Sequence, residues 1–176
     1  MRLPVLIAVL VPLLGLWSGC RTGDVIQKIP VSGGGFVTIP LTGGGPQPGE
    51  GGGYKVAAAG LQPGKADREA FYTFSLMTNK QPDLRRVVVT DISDEKPVVL
   101  LDDADPKFEG GLWKKDTDVL TPEDPRLQWV FQIPMALRVY QFKLTRQNGE
   151  EISFHHVAGY PPPIKAMMRA RWGEKY

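Results

Sequence analysis

The chain has 176 residues, a formal net charge of +2, 42% hydrophobic residues and 23% charged residues, a composition that fits one soluble domain with some appended sequence. The near-neutral charge excludes a strongly basic nucleic-acid binder. One cysteine excludes an internal disulfide framework and a multi-cysteine metal site, and two histidines leave little for a histidine-based centre.

Residues 1–19 carry one charge, Arg2, followed by an apolar run from Leu3 to Trp17 that Pro4, Pro12 and Gly15 interrupt. A membrane-spanning helix needs about 20 apolar residues. This shorter, broken run ends in the small residues Ser18 and Gly19, the layout of a secretory signal. The sole cysteine, Cys20, follows at once.

Leu16-Trp17-Ser18-Gly19-Cys20 resembles the lipobox of bacterial lipoproteins, with Trp17 standing where that family usually places leucine. The resemblance implies cleavage before Cys20 and acylation of its thiol, hence a protein attached to the membrane of a bacterial cell envelope. Two acyl chains hold a protein stably where one does not. Residue 21 is arginine, not the aspartate with which some bacteria keep lipoproteins in the inner membrane. The expected address is therefore the outer membrane where the organism has one.

Residues 20–53 form the next unit, the lipidated cysteine and a glycine-rich linker. Gly33–Gly35, Gly43–Gly45, Gly49 and Gly51–Gly53 place ten of the 20 glycines in 21 positions. Glycine loses the most freedom on folding, so the segment is expected to be a flexible tether with a mean span of about 30 Å. The alternative is that Val25-Ile26 or Phe36-Val37-Thr38-Ile39 dock as added edge strands. A phosphate-binding glycine loop is not indicated, since neither GxGxxG nor GxxxxGK[ST] is present.

Residues 54–160 read as strands of period two. Tyr72, Phe74 and Leu76 alternate with polar neighbours, and Val87–Thr90 and Val98–Leu101 are short β-branched or apolar runs. Leu127, Trp129, Phe131 and Ile133 alternate, as do Tyr140, Phe142 and Leu144, and Ile152 and Phe154 follow Asn148-Gly149. Asn-Gly between two alternating runs is a hairpin signal, read as a two-residue type I′ turn. The pattern predicts an all-β antiparallel sandwich with no helix. Expected core aromatics are Tyr72, Phe74, Trp129, Phe131, Tyr140, Phe142 and Phe154. Residues 127–157 resemble the later strands of an immunoglobulin-like or fibronectin-III-like domain. In that reading Tyr140 is a tyrosine-corner candidate whose hydroxyl returns to the corner backbone.

Little in this domain points to catalysis. His155 and His156 are adjacent on a strand and so face opposite ways, with His156 on the side of Ile152 and Phe154. No serine lies in a GxSxG elbow. Asp102, Asp103 and Asp105, with Glu109, Asp116 and Asp118 downstream, lack the spacing of an EF-hand loop and read as a solvated acidic loop rather than a calcium site. Residues 102–125 are expected to be one long loop, and Trp113 with Lys114 and Lys115 is its candidate partner contact, the alternative being Trp113 tucked onto the sandwich edge.

Residues 161–176 open with Pro161-Pro162-Pro163, a polyproline spacer. Ile164, Met167, Met168 and Trp172 share one helical face, with Lys165, Arg169 and Arg171 mostly off it. Arg169, Arg171 and Trp172 are further candidate contacts for anionic lipid or a protein. The sequence thus describes a non-enzymatic envelope lipoprotein with no cofactor, no metal and no nucleic-acid partner, acting as a binding or structural module. The competing readings are an accessory subunit or inhibitor of an envelope complex, and an enzyme of unrecognised type.

Overall fold

The structure is a computed structural model that describes residues 25–41, 48–66, 69–132 and 136–160, together with Ala166 and Ala170, which are helical and exposed. The signal segment, Cys20, Arg169, Arg171 and Trp172 lie outside the described residues.

The alternating runs form two four-stranded antiparallel sheets. Sheet 1 has the order β10-β9-β6-β7, with β6 at Leu84–Asp91, β7 at Val98–Asp103, β9 at Ala136–Arg146 and β10 at Glu151–Tyr160. Sheet 2 has the order β3-β4-β5-β8, with β3 at Glu50–Gly51, β4 at Tyr54–Pro63, β5 at Ala70–Met77 and β8 at Leu112–Asp116. The inward residues of both sheets meet in one core, so the expected all-β sandwich is found.

Period two explains that core. Tyr72, Phe74 and Leu76 of β5 face Tyr140, Phe142 and Leu144 of β9, and all six are fully buried. Phe74 is the hub. Its ring meets Tyr140 edge-on at 5.6 Å and Phe142 edge-on at 6.0 Å, and stacks on Tyr72 at 6.0 Å. Phe142 stacks in turn on Phe154 at 5.5 Å. Edge-to-face and offset pairs of this kind contribute beyond the area they bury.

Four sequence expectations are corrected. First, Leu127–Gln132 is not a strand, and the Phe131 side chain and Ile133 lie outside the described residues. A 3-10 turn at Pro125–Leu127 runs into a single helical turn, α1, at Trp129–Gln132. Pro125 fits the first position of such a turn, and the Asp124 side chain accepts from Arg126 N–H at 2.9 Å as its cap. Leu127, Trp129 and Val130 are buried while Gln128 is exposed, so adjacent Trp129 and Val130 both face inward, which alternation forbids. Second, the long loop at 102–125 contains β8, which pairs with β5 from Met77↔Leu112 to Thr73↔Asp116. Third, the β9–β10 hairpin closes through a three-residue loop, Gln147–Gly149, rather than a two-residue turn. Arg146 N donates to Glu150 O, Gly149 N donates to Arg146 O, and Gly149 takes φ +89°.

The fourth correction concerns the tether. Residues Val25–Val31 (β1) and Gly35–Leu41 (β2) pair as an antiparallel hairpin from Val25↔Leu41 to Val31↔Gly35. The hairpin forms no ladder with either sheet. It lies on the outer face of sheet 1, where Ile29, Val31 and Val37 pack on Ile92, Leu137, Val139 and Val157. Val139 and Val157 are opposite each other in register and point away from the main core. A two-stranded hairpin needs such a partner to be stable.

The last glycine triplet is also ordered. Gly49–Gly53 passes close over β10, and Cβ atoms at Gly49, Gly51 and Gly52 would meet the His155 carbonyl, the Phe154 ring and the Ile152 side chain respectively. Here glycine permits close approach of two chain segments rather than slack.

Candidate functional site

Of the predicted contact residues the structure describes Trp113, Lys114 and Lys115, and it parts the tryptophan from the lysines. Trp113 sits at an inward position of β8 and is 1% exposed. Its indole N–H donates to Asp103 Oδ2 at 2.8 Å. Trp113 is therefore a core side chain and cannot meet a partner, whereas its neighbours Leu112 and Lys114 point outward and are exposed. Lys115 is exposed at the sheet margin, with Nζ 3.8 Å from Asp103 Oδ1.

The acidic cluster disperses. Asp102 makes a two-point ion pair with Arg86, whose hydrogen bonds hold the Asp102 carboxyl below its ordinary pKa. Asp103 accepts from Trp113, Asp105 pairs with Lys107, and Asp116 accepts from Thr73 Oγ1 at 2.7 Å. Among the described residues no group of three or more His, Cys, Asp or Glu side chains is placed to hold a metal ion.

The histidines also part. His155 is exposed, and His156 is half-buried under the glycine seam, where its Nδ1 accepts from Gly49 N–H at 3.2 Å. Burial of the ring pushes the His156 pKa down. Tyr140 is fully buried, and its hydroxyl meets the Tyr160 hydroxyl at 2.8 Å rather than a corner carbonyl. Tyr160 also accepts from Leu61 N–H at 2.9 Å, which ties sheet 1 to the end of β4. Tyr72 has the backbone bond instead, donating to Arg126 O at 2.9 Å while accepting from Trp129 Nε1 at 2.9 Å. Burial raises the pKa values of Tyr72, Tyr140 and Tyr160.

The most ionic buried feature lies at the end of the sandwich where α1 sits. Arg138, 4% exposed, donates from Nε to Asp91 Oδ2 at 2.9 Å and from Nη2 to Asp94 Oδ2 at 2.6 Å. Its guanidinium carbon lies 5.0 Å from the Trp129 ring centre. Burial alone would lower the Arg138 pKa, but the hydrogen bonds and charges of Asp94 and Asp91 outweigh it and the net shift is upward. Asp91 Oδ1 accepts from Ser93 N–H and Oγ, and Ser93 Oγ accepts from Val139 N–H at 2.7 Å. A cavity of about 230 Å³ borders this network, lined by Asp91, Asp94, Leu100, Arg126, Trp129 and Arg138. Arg126 is itself paired with Asp124 at 2.7 Å. Arg138 is shared between Asp91 and Asp94 and Arg126 is paired with Asp124, so the arrangement clamps the turn after β6 to β9 and offers a ligand no unpaired cation. Sequence parity contained this feature, because Arg138 shares the inward phase of Tyr140, Phe142 and Leu144.

Phe36, Met77, Val99, Leu112 and Val119 are large apolar side chains exposed among the described residues, and two groups of them sit on strand faces. On the outer face of sheet 2, Glu50, Lys55, Met77 and Leu112 form one cross-strand row, with Met77 46% and Leu112 43% exposed and Lys114 one pair along. On the outward face of the hairpin, Pro30 stands opposite Phe36, which is 65% exposed, and Lys28 opposite Thr38. No known protein family matches the chain, and no curated protein is similar to it in sequence.

Proposed function

We propose that the chain is an envelope lipoprotein of a bacterium, anchored through an acylated Cys20, whose sandwich acts as a non-enzymatic binding or structural module. The observation that carries this reading is the position of the only cysteine, directly after a short apolar segment and the small residues Ser18 and Gly19. Arg21 favours the outer membrane as its address.

The strand order supports an immunoglobulin-like reading of the sandwich. β4, β5 and β8 take the places of strands A, B and E, and β10, β9, β6 and β7 those of G, F, C and C′. That resemblance concerns architecture and names no ligand. A second reading, an accessory subunit or inhibitor of an envelope complex, is favoured by the exposed Met77–Leu112 pair with Lys55 and Lys114 beside it.

The anchor is tested with Cys20→Ala. The expected result is loss of the acyl mass and release of the protein from membranes washed with carbonate. Continued sedimentation of the variant with washed membranes would refute the anchor.

A further inference from the structure

We propose that the outward face of the β1–β2 hairpin is a membrane-contact surface, so that the sandwich lies against the bilayer through sheet 1 and turns the outer face of sheet 2 away from it. The inference rests on the anchor at Cys20 and specifies how that anchor holds the domain.

Chain length supplies the first argument. Val25, the first residue of β1, is five residues from Cys20, and five extended residues span at most about 18 Å. An acylated Cys20 therefore keeps the start of the hairpin within that distance of the lipid. A tether of 33 residues would have imposed no such limit.

The faces of the hairpin supply the second. Ile29, Val31 and Val37 are spent on sheet 1. The opposite face carries Lys28, Pro30, Phe36 and Thr38, all exposed. Residues 25–41 contain no acidic side chain and one lysine. The hairpin face itself offers an exposed aromatic ring, a proline and a cation, a set that suits the interfacial zone of a bilayer, while the nearest carboxylates lie beside it, at Asp24 before β1 and at Asp94 and Glu95 next to the turn. One face of a two-layer hairpin contact is closed by protein, and the chain's own acyl groups bring lipid to the other. Sheet 2 lies on the far side of the core, so its Lys55, Met77, Leu112 and Lys114 face the compartment.

The test uses the full lipidated protein in vesicles of phosphatidylcholine and phosphatidylglycerol. Thr38→Cys carries a nitroxide on the hairpin face, and Lys114→Cys carries one on sheet 2. The Cys20 thiol is blocked by its lipid and takes no label. Collision of each nitroxide with oxygen and with a water-soluble nickel chelate is then read by electron paramagnetic resonance. The expected result is a several-fold higher oxygen-to-nickel ratio at residue 38 than at residue 114, lost when Phe36→Asp is added while the acyl mass is retained. Equal ratios at the two positions in vesicle-bound, acylated protein would overturn the membrane face and leave the anchor standing. Dipolar broadening between residue 38 labels at full acylation would overturn it in favour of a second copy. Absence of the acyl mass and of flotation with vesicles would remove the anchor and the membrane face together.

Discussion

The sandwich and the hairpin are both antiparallel β-structure, yet they are held by different means. Each sheet of the sandwich is closed by strand ladders, and its two inner faces share one core built on Phe74, Tyr140 and Phe142. The hairpin has a ladder only within itself and rests on sheet 1 through a satellite cluster of Ile29, Ile92, Val139 and Val157. Ser32 N–H donating to Ile92 O at 2.8 Å joins its turn to the sandwich. The same local geometry is integral in one place and appended in another. What differs is the number of buried groups that must separate together.

Substitutions in the main core should have the largest effects. Phe74→Ala removes a fully buried ring that touches three others and should cost about 3–5 kcal/mol of unfolding free energy in denaturant titration. Asp91→Asn removes the charge from the carboxylate that meets Arg138 where both side chains are 4% exposed. Asp94 still neutralises Arg138, so the loss should be that of weakened charge-assisted hydrogen bonds, about 2–3 kcal/mol. A neutral result there would show that the clamp is not a core element.

The seam between β3 and β10 should respond next. Gly49→Ala pushes a Cβ into the His155 carbonyl and should cost about 1–3 kcal/mol, as overpacking does. The same seam predicts a pH dependence. Burial depresses the His156 pKa and, less completely shielded, that of His155, so the unfolded chain takes up protons first. Stability is then full above the ordinary imidazole value of about 6.5 and falls as the pH drops below it. His156→Gln, which keeps an acceptor for Gly49 N–H, should flatten the profile just below that value in thermal melts taken across pH.

The smallest global effect should come from the hairpin. Ile29→Asp places a charge under β1 and should abolish hydrogen-exchange protection over 25–41. The main melting transition should move less than in any of the other variants. A shift as large as that of Phe74→Ala would show the hairpin to be part of the sandwich rather than an addition to it.

Legibility followed the same division. Strands whose inner face meets the opposite sheet announce themselves, because alternation is imposed by a pleat with one buried side. Tyr72, Phe74, Tyr140, Phe142 and Phe154 were readable for that reason. β8 was not, since only Trp113 of its five residues is buried, and two adjacent apolar residues followed by two lysines and an aspartate make no period of two. Residues 127–133 misled in the other direction. Their apolar spacing suits a strand, but Pro125 and the Asp124 cap start a tight turn, and Trp129 and Val130 are buried side by side.

By itself the sequence determined the all-β class, the hairpin at Asn148–Gly149 and the inward phase that puts Arg138 in the core. These follow from covalent order and from the two-residue repeat of a strand. Only the tertiary structure decided what the glycine-rich segment does. Glycine lowers the local preference for any one conformation, so order there has to come from contacts distant in sequence. The patch of Ile92, Leu137, Val139 and Val157 gives the hairpin a surface to cover, and β10 gives Gly49–Gly53 a strand to cross at close range. Neither partner is visible from within residues 20–53.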